Sequence, residues 1–594
     1  MDSLAIEQRT KGRRAWLRAA MRCALRTGLL SLLCALGISV LAQEPAQDAG
    51  QATQPSGLDR TLTTLHGVVR NAATGEGVPR ALVRIEGDAD TGVLTDGDGR
   101  FEIPNIPVGP QQVDVTRPGF IDRMISAAGA DNGVQQFIVG MIGGGHNVMV
   151  AAQMPDVVFT MSPTGAIRGQ VEVSTGDTAE GMTIMLAKRT IESGRSIWQE
   201  AGTTKTLSDG TYRFGGLADG DYAIYSQPAM DSDLDETAGA GRRWGYASVY
   251  YPDARDPSGA ARIHVAEGGE EQANLTLSLE SFQQVNAAVA LPQSNADRNL
   301  SAVVMDAAGH TLPYHAEYDP DSHSIQVALP DGSYSLLVQS ISTMEHRESP
   351  GTTNTVNLVG TVDFAVADHA VPNLRVPLSA PRPGPVQMNV IHSAAQPVQG
   401  SERGKQVTVL VSQAGGWIDD SMVTAFADGP AAGPLETAYN RPGPYWVHTH
   451  IQQKGLCENS FTAGGASLAR EPLVIGLGGP AAPMELTLRD DCAQLQLSLP
   501  ESQSSITAGE EPYYSVYVVP DFDSTGDIEP LVLRPSTGGT TTINDLPPGN
   551  YHVYTFAGFA QFAYRNREGL PISGQAITLA PGTTGNLVVE APGQ

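Results

Sequence analysis

One short pattern recurs along this chain of 594 residues and constrains its fold more than any other feature. A glycine in a tight turn leads an alternating strand at Gly109 in "IPVGPQQVDV", Gly220 in "LADGDYAIYS", Gly332 in "LPDGSYSLLV", Gly443 in "RPGPYWVHTH" and Gly549 in "LPPGNYHVYT". These glycines stand 111, 112, 111 and 106 residues apart. Four of the five are followed two residues later by Tyr222, Tyr334, Tyr445 or Tyr551, and the first by Gln111. Glycine permits the positive φ that a tight turn can require, and a preceding Pro or Asp favours turn entry. A tyrosine at that place can bury its ring between sheets while its hydroxyl finds a partner, so the four are read as structural.

A second strand keeps step with the first. "DVVFTMSP" (156–163), "ANLTLSLES" (273–281), "NLRVPLSAP" (373–381), "MELTLRDD" (484–491) and "NLVVEAP" (586–592) alternate apolar and polar residues, as strands with one face in a core do. New openings follow at "GAIRGQVEV" from 165 and "AQLQLSLPE" from 493. Units of this length are too long for a solenoid, so each should own its core. The expected fold is all-β: a tandem array of about five antiparallel β-sandwich modules, at 61–163, 164–281, 282–381, 382–492 and 493–594. The 65 glycines and 40 prolines suit many short elements joined by turns.

Ahead of the array, residues 1–42 read as a signal peptide. A basic stretch precedes the apolar run "TGLLSLLCALGISVLA", which ends in small residues that place cleavage between Ala42 and Gln43. "RRAWLR" at 13–18 is a partial twin-arginine pattern. Residues 43–60 have no periodicity and read as a flexible leader. No other stretch is long and apolar enough to span a membrane, so no span is expected in the mature chain. The net charge of −27 argues against nucleic acid as a partner, because phosphate binding needs clustered Lys and Arg. Of four cysteines, Cys23 and Cys34 leave with the signal segment. Cys457 and Cys492 are then expected to form a disulfide in an exported chain, worth roughly 4 kcal/mol in loop-closure entropy.

The first two units carry a fuller pattern. In the first it comprises Gly67, Val69, Val78, Pro79, Ala81, Val83, Thr95, Asp96, Gly99, Phe101 and Gly109. The second keeps Gly169, Val171, Asp209, Gly210, Tyr212, Phe214, Gly220 and Tyr222. Over about 61–120 and 165–228 this resembles the carboxypeptidase regulatory-like domain, an immunoglobulin/transthyretin-like sandwich with a carbohydrate-binding-like fold. The layout is similar to exported bacterial proteins that string such modules together without a peptidase. That resemblance implies a non-catalytic binding or scaffold protein of the periplasm, cell surface or extracellular space, with a glycan or a cell-envelope protein as partner. Adhesin relatives sometimes carry Lys–Asn cross-links, but Lys188, Lys205, Lys405 and Lys454 all fall outside opening strands.

"HVAE" at 264–267 matches the first part of a zinc peptidase motif, yet it sits on the approach to a closing strand, so His264 and Glu267 are read as surface residues. Asp96 and Asp98 lack the ligand rhythm of a calcium loop. His448 and His450 share a strand face without a completing ligand, and His310, His315 and His323 cluster irregularly. No catalytic residue, metal or cofactor is assigned. The segment "RRWGYASVYYPDARDP" (242–257) is the one binding candidate: Trp244, Tyr246, Ser248 and Tyr250 would share a face, with Tyr251 opposite. Flat rings beside Asp253, Arg255 and Asp256 can stack on sugars while polar groups bond hydroxyls. The same rings could instead close the second module's core. A glycan-binding role through this patch and an accessory role to a separate peptidase stand as alternatives to the scaffold. Oligomeric state is not read from the sequence.

Overall fold

The computed structural model describes residues 61–590 except 87–91, 123–145, 232–241, 291–299, 346–351, 381–383, 393–406, 415–434, 438–441, 477–478, 481, 500–513, 527, 529, 534–539, 558–559, 567–569 and 571–573. The signal segment, the Ala42–Gln43 cleavage point and the leader at 43–60 lie outside the described residues.

Period-two alternation builds the strands. In Gly165–Val173 the side chains of Ile167, Val171 and Val173 enter the core while Arg168, Gln170 and Glu172 face solvent. The described strands form ten sheets, packed two by two around five principal cores. The cores draw on residues between Leu65 and Met161, Ile167 and Leu277, Val285 and Leu378, Val386 and Leu488, and Ala493 and Val589. The one helical element among the described residues is a short 3₁₀ turn at Pro257–Gly259.

Each sandwich repeats one topology. The glycine-led strands Gly109–Thr116, Gly220–Ser226, Gly332–Glu345, Gly443–Ile451 and Gly549–Ala557 are interior to one sheet, flanked on both sides by antiparallel neighbours. In the other sheet the opening strand pairs with the closing strand of the same module, and that pairing is parallel in all five. The modules are therefore not purely antiparallel as expected. Alternation fixes which face a strand buries, whereas strand direction follows from the path of the chain. The last three modules share this arrangement with the first two, although their sequence patterns diverge.

Motif residues acquire physical reasons here. Gly109, Gly220 and Gly443 hold φ of 127°, 153° and 152°. In the opening strands, a Cβ on Gly169 would lie 1.7 Å from the Ala273 carbonyl oxygen and 2.7 Å from the Tyr212 ring. A Cβ on Gly67 would likewise lie 2.6 Å from the Phe101 ring. Thr95 donates from Oγ1 to the Val78 carbonyl at 2.6 Å and accepts from the Ala81 N–H at 2.8 Å. Thr206 repeats this bridge in the second module, to the Ala179 carbonyl and from the Met182 N–H.

One sheet crosses from the second module to the third. The hairpin of Ala229–Met230 and Arg242–Tyr246 pairs along Leu279–Ala290, the third module's opening strand. That strand itself straddles the expected boundary at 281.

Candidate functional site

Corner tyrosines recur in the last four modules at Tyr222, Tyr334, Tyr445 and Tyr551. Tyr222 and Tyr334 donate to the carbonyls of Ala218 and Pro330, four residues back, at 2.7 and 3.0 Å; Tyr551 bonds the Pro547 carbonyl in the same way. The rings of Tyr222, Tyr334, Tyr445 and Tyr551 are buried. Burial raises the phenol pKa of Tyr334 and Tyr551 well above its ordinary value. Through these bonds Tyr222, Tyr334 and Tyr551 pin the turns that feed their central strands.

The aromatic segment at 242–257 does not form the stacking face its alternation suggested. The strand ends at Tyr246, so the pleat does not carry through to Tyr250. Tyr246 is 6% exposed and joins the second module's main core with Val249, against which Tyr251 packs. Tyr250 is 1% exposed and lies in a separate cluster, its ring 5.0 Å from that of Tyr225 and nearly parallel to it. Trp244 is partly exposed and pairs with Ser281 of the third module. Arg255 forms an ion pair with Glu280 of the third module's opening strand. Asp253 is exposed, while Asp256 caps the 3₁₀ turn by accepting from the Ser258 N–H at 3.0 Å. Burial pushes the phenol of Tyr314, from the third module, up to about 12. The segment is a seam between the second and third modules.

Other candidates resolve locally. His264 Nδ1 is 3.1 Å from Asp221 Oδ1, whereas Glu267 accepts from Ser162 of the first module at 2.8 Å. The two halves of "HVAE" thus engage different neighbours. Asp96 accepts from the N–H groups of Asp98 and Arg100 at 2.9 and 2.8 Å, a turn that uses its oxygen internally. His448 is buried, 3.1 Å from the Ser412 hydroxyl, and His450 is exposed. His310 bonds Asp306 at 2.8 Å and His323 bonds the Tyr318 hydroxyl at 3.2 Å, while His315 is exposed. Among the described residues no three His, Cys, Asp or Glu side chains converge on one point. Cys457 and Cys492 are joined in a disulfide, with Cα atoms 5.9 Å apart.

The most polar buried site lies where the fourth and fifth modules meet. Glu458, 4% exposed, follows Cys457 in the strand Cys457–Ala463. Its Oε1 accepts from the Thr525 N–H at 2.8 Å and its Oε2 from the Thr525 hydroxyl at 2.7 Å and the Thr449 hydroxyl. Thr449 N–H donates to the Thr525 carbonyl at 3.1 Å, and Gly455 N–H donates to Asp545 at 2.9 Å. Arg565 donates to the carbonyls of Ser524, Thr525 and Gly526 at 2.9, 3.1 and 2.9 Å. One peptide unit therefore mediates between a buried carboxylate and a guanidinium. A shallow cleft beside it contains Arg470 and Asp523, already paired at 2.7 Å. Sequence reasoning did not single out Glu458, Thr525 or Arg565. They sit 40 to 107 residues apart, and nothing local marks them.

Residues 64–137 match the carboxypeptidase regulatory-like domain, so the first module carries the domain its motif residues resembled. No curated protein matches the chain in sequence. Among solved structures, a minor pilin of Streptococcus agalactiae aligns at 13% identity over 36% of this chain and 95% of its own, with a TM-score of 0.18. Two B repeat units of the collagen binding protein of Staphylococcus aureus align at 10% identity over 66% and 93%, with a TM-score of 0.12. Scores of that size carry no inference to this chain. Its class rests on its own ten sheets and five cores: a multi-module β-sandwich protein with no described helix long and apolar enough to cross a membrane.

Proposed function

We propose that this protein is an exported, non-catalytic scaffold that presents β-sandwich modules in the periplasm, at the cell surface or outside the cell. The observation that carries this reading is where the buried polar and aromatic groups go. In an enzyme such groups converge on a cavity that can hold substrate. Here Glu458 and Arg565 serve the junction of the fourth and fifth modules and the loop that makes it, while Tyr250 stacks on Tyr225 in a cluster of the second module. The Cys457–Cys492 disulfide supports an oxidising compartment. The basic and apolar run before Gln43 supplies the export route in this reading.

The partner is a cell-envelope protein or a glycan. For a glycan, the reachable part of the aromatic segment is Trp244 and Tyr251, both partly exposed. Fractionation of the producing cell with sequencing of the mature N-terminus tests export, the expected result being a chain that begins at Gln43 outside the cytoplasm. A full-length cytoplasmic chain would end that part. A glycan array with the wild type and Trp244→Ala tests the binding mode; loss of a signal at unchanged melting temperature assigns a glycan site. Metal-dependent turnover of peptide substrates by the purified protein would overturn the non-catalytic reading.

A further inference from the structure

One hairpin of the second module reaches beyond its own sandwich. Strands Thr183–Glu192 and Arg195–Lys205 are joined by Ser193 and Gly194, at φ of 44° and 75°. Positive φ at both central residues is the tight two-residue connection that suits twisted strands. Toward the fourth module, the Arg195 guanidinium lies over the Trp446 ring, 3.3 Å from its centre, and donates to the Ala469 carbonyl at 3.1 Å. Toward the fifth, Arg565 donates from Nε to the Ser193 carbonyl at 2.9 Å and from its backbone N–H to the Gly194 carbonyl at 3.0 Å. Gly194 sits so close to Tyr564 that a Cβ there would be 2.4 Å from the ring.

The contact centres on Ser193–Arg195, with the Ile191 N–H also donating to Gln561 at 3.4 Å, and it carries its own opposition. Arg195 Nε is buried without a hydrogen-bond partner, which costs free energy on the scale of a lost hydrogen bond. Burial, reinforced by the like charge of Arg565, lowers the Arg195 pKa to about 10. Two guanidiniums held close weaken what the π face and the carbonyls stabilise. The unpartnered Nε and the like charge both work against the closed contact, so the bonds and the cation–π pair hold it against an opposing term.

We propose that the Ser193–Arg195 tip is a releasable strap. Closed, it ties the second module to the fourth and fifth across the intervening third; open, it uncovers Trp446 and frees Arg565 from the tip. The proposal stands whether or not the protein is exported.

The test uses the full chain with two independent ways of opening the strap. Arg195→Ala removes the guanidinium from the Trp446 ring and from the Ala469 carbonyl. Gly194→Asn keeps both arginines and a residue that tolerates positive φ, but drives a side chain into Tyr564. Small-angle scattering should show an upward shift in radius of gyration for both variants, with far-ultraviolet circular dichroism unchanged. Arg84→Ala, which breaks the first module's exposed pair with Asp114, should shift nothing. An unchanged radius in both strap variants overturns the proposal. Loss of β signal in both overturns it too, because the tip would then be part of the folding core and not a strap.

Discussion

Tyr222, Tyr334 and Tyr551 each tie the ring to the core and the hydroxyl to the chain just before the turn, so phenylalanine keeps the packing and removes only the bond. Tyr334→Phe leaves the Pro330 carbonyl without its donor, and a loss of about 1 kcal/mol is expected from denaturant unfolding of the third module. Gly169→Ala is a harsher change, because the new methyl meets backbone at 1.7 Å, where no rotamer can relieve it. A loss of about 3 kcal/mol follows, seen as early melting of the second module. The corner tyrosines were legible in the sequence because turn, glycine and ring lie within four residues of one another. The aromatic run was not. Alternation names the residues that share a face only while the strand continues, and this one ends at Tyr246, which sends Tyr246 and Tyr250 into different clusters.

At the level of strands and loops, the junction of the fourth and fifth modules depends on one loop, Ser524–Gly526, held from both sides. Thr525→Val removes the hydroxyl bond to Glu458 while keeping the shape. A loss of about 1.5 kcal/mol in coupling is expected, since bonds to a carboxylate are stronger than neutral ones. Calorimetry should show the fourth and fifth modules melting closer together in the wild type than in the variant. Equal separation in both would remove Glu458 from that role. Strand positions were readable from alternation and from the turns, yet the pairing of opening with closing strands was not, because partners about 90 to 105 residues apart leave no trace in local pattern. Nor did the sequence show that the hairpin after Tyr225 would join its neighbour's sheet, since an amphipathic strand fits any sheet that offers an edge.

For the whole molecule, alkaline pH is the informative stress. Burial holds the phenols of Tyr314 and Tyr517 at about 12, above the ordinary value of about 10, and raises Tyr212, Tyr250, Tyr334 and Tyr551 as well. The folded chain prefers the neutral phenols, so their contribution is complete below pH about 10 and disappears as pH rises through about 12. Phenolate absorbance from the buried set should therefore rise late, together with loss of β structure. A single early step would contradict the burial. Reducing Cys457–Cys492 should cost roughly 4 kcal/mol and lower the melting temperature of the fourth module.

The parallel partnership of first and last strands has a mechanical meaning for a protein made of modules in series. Two neighbouring strands that run the same way place the entry and the exit of a module at opposite ends of their shared ladder. A pull on the flanking chain then acts along the strands and loads all the rungs between them in shear at once, where a hairpin would unzip them one by one. A polymer of such units resists stretching most strongly in the direction in which it would be tugged between two anchorages.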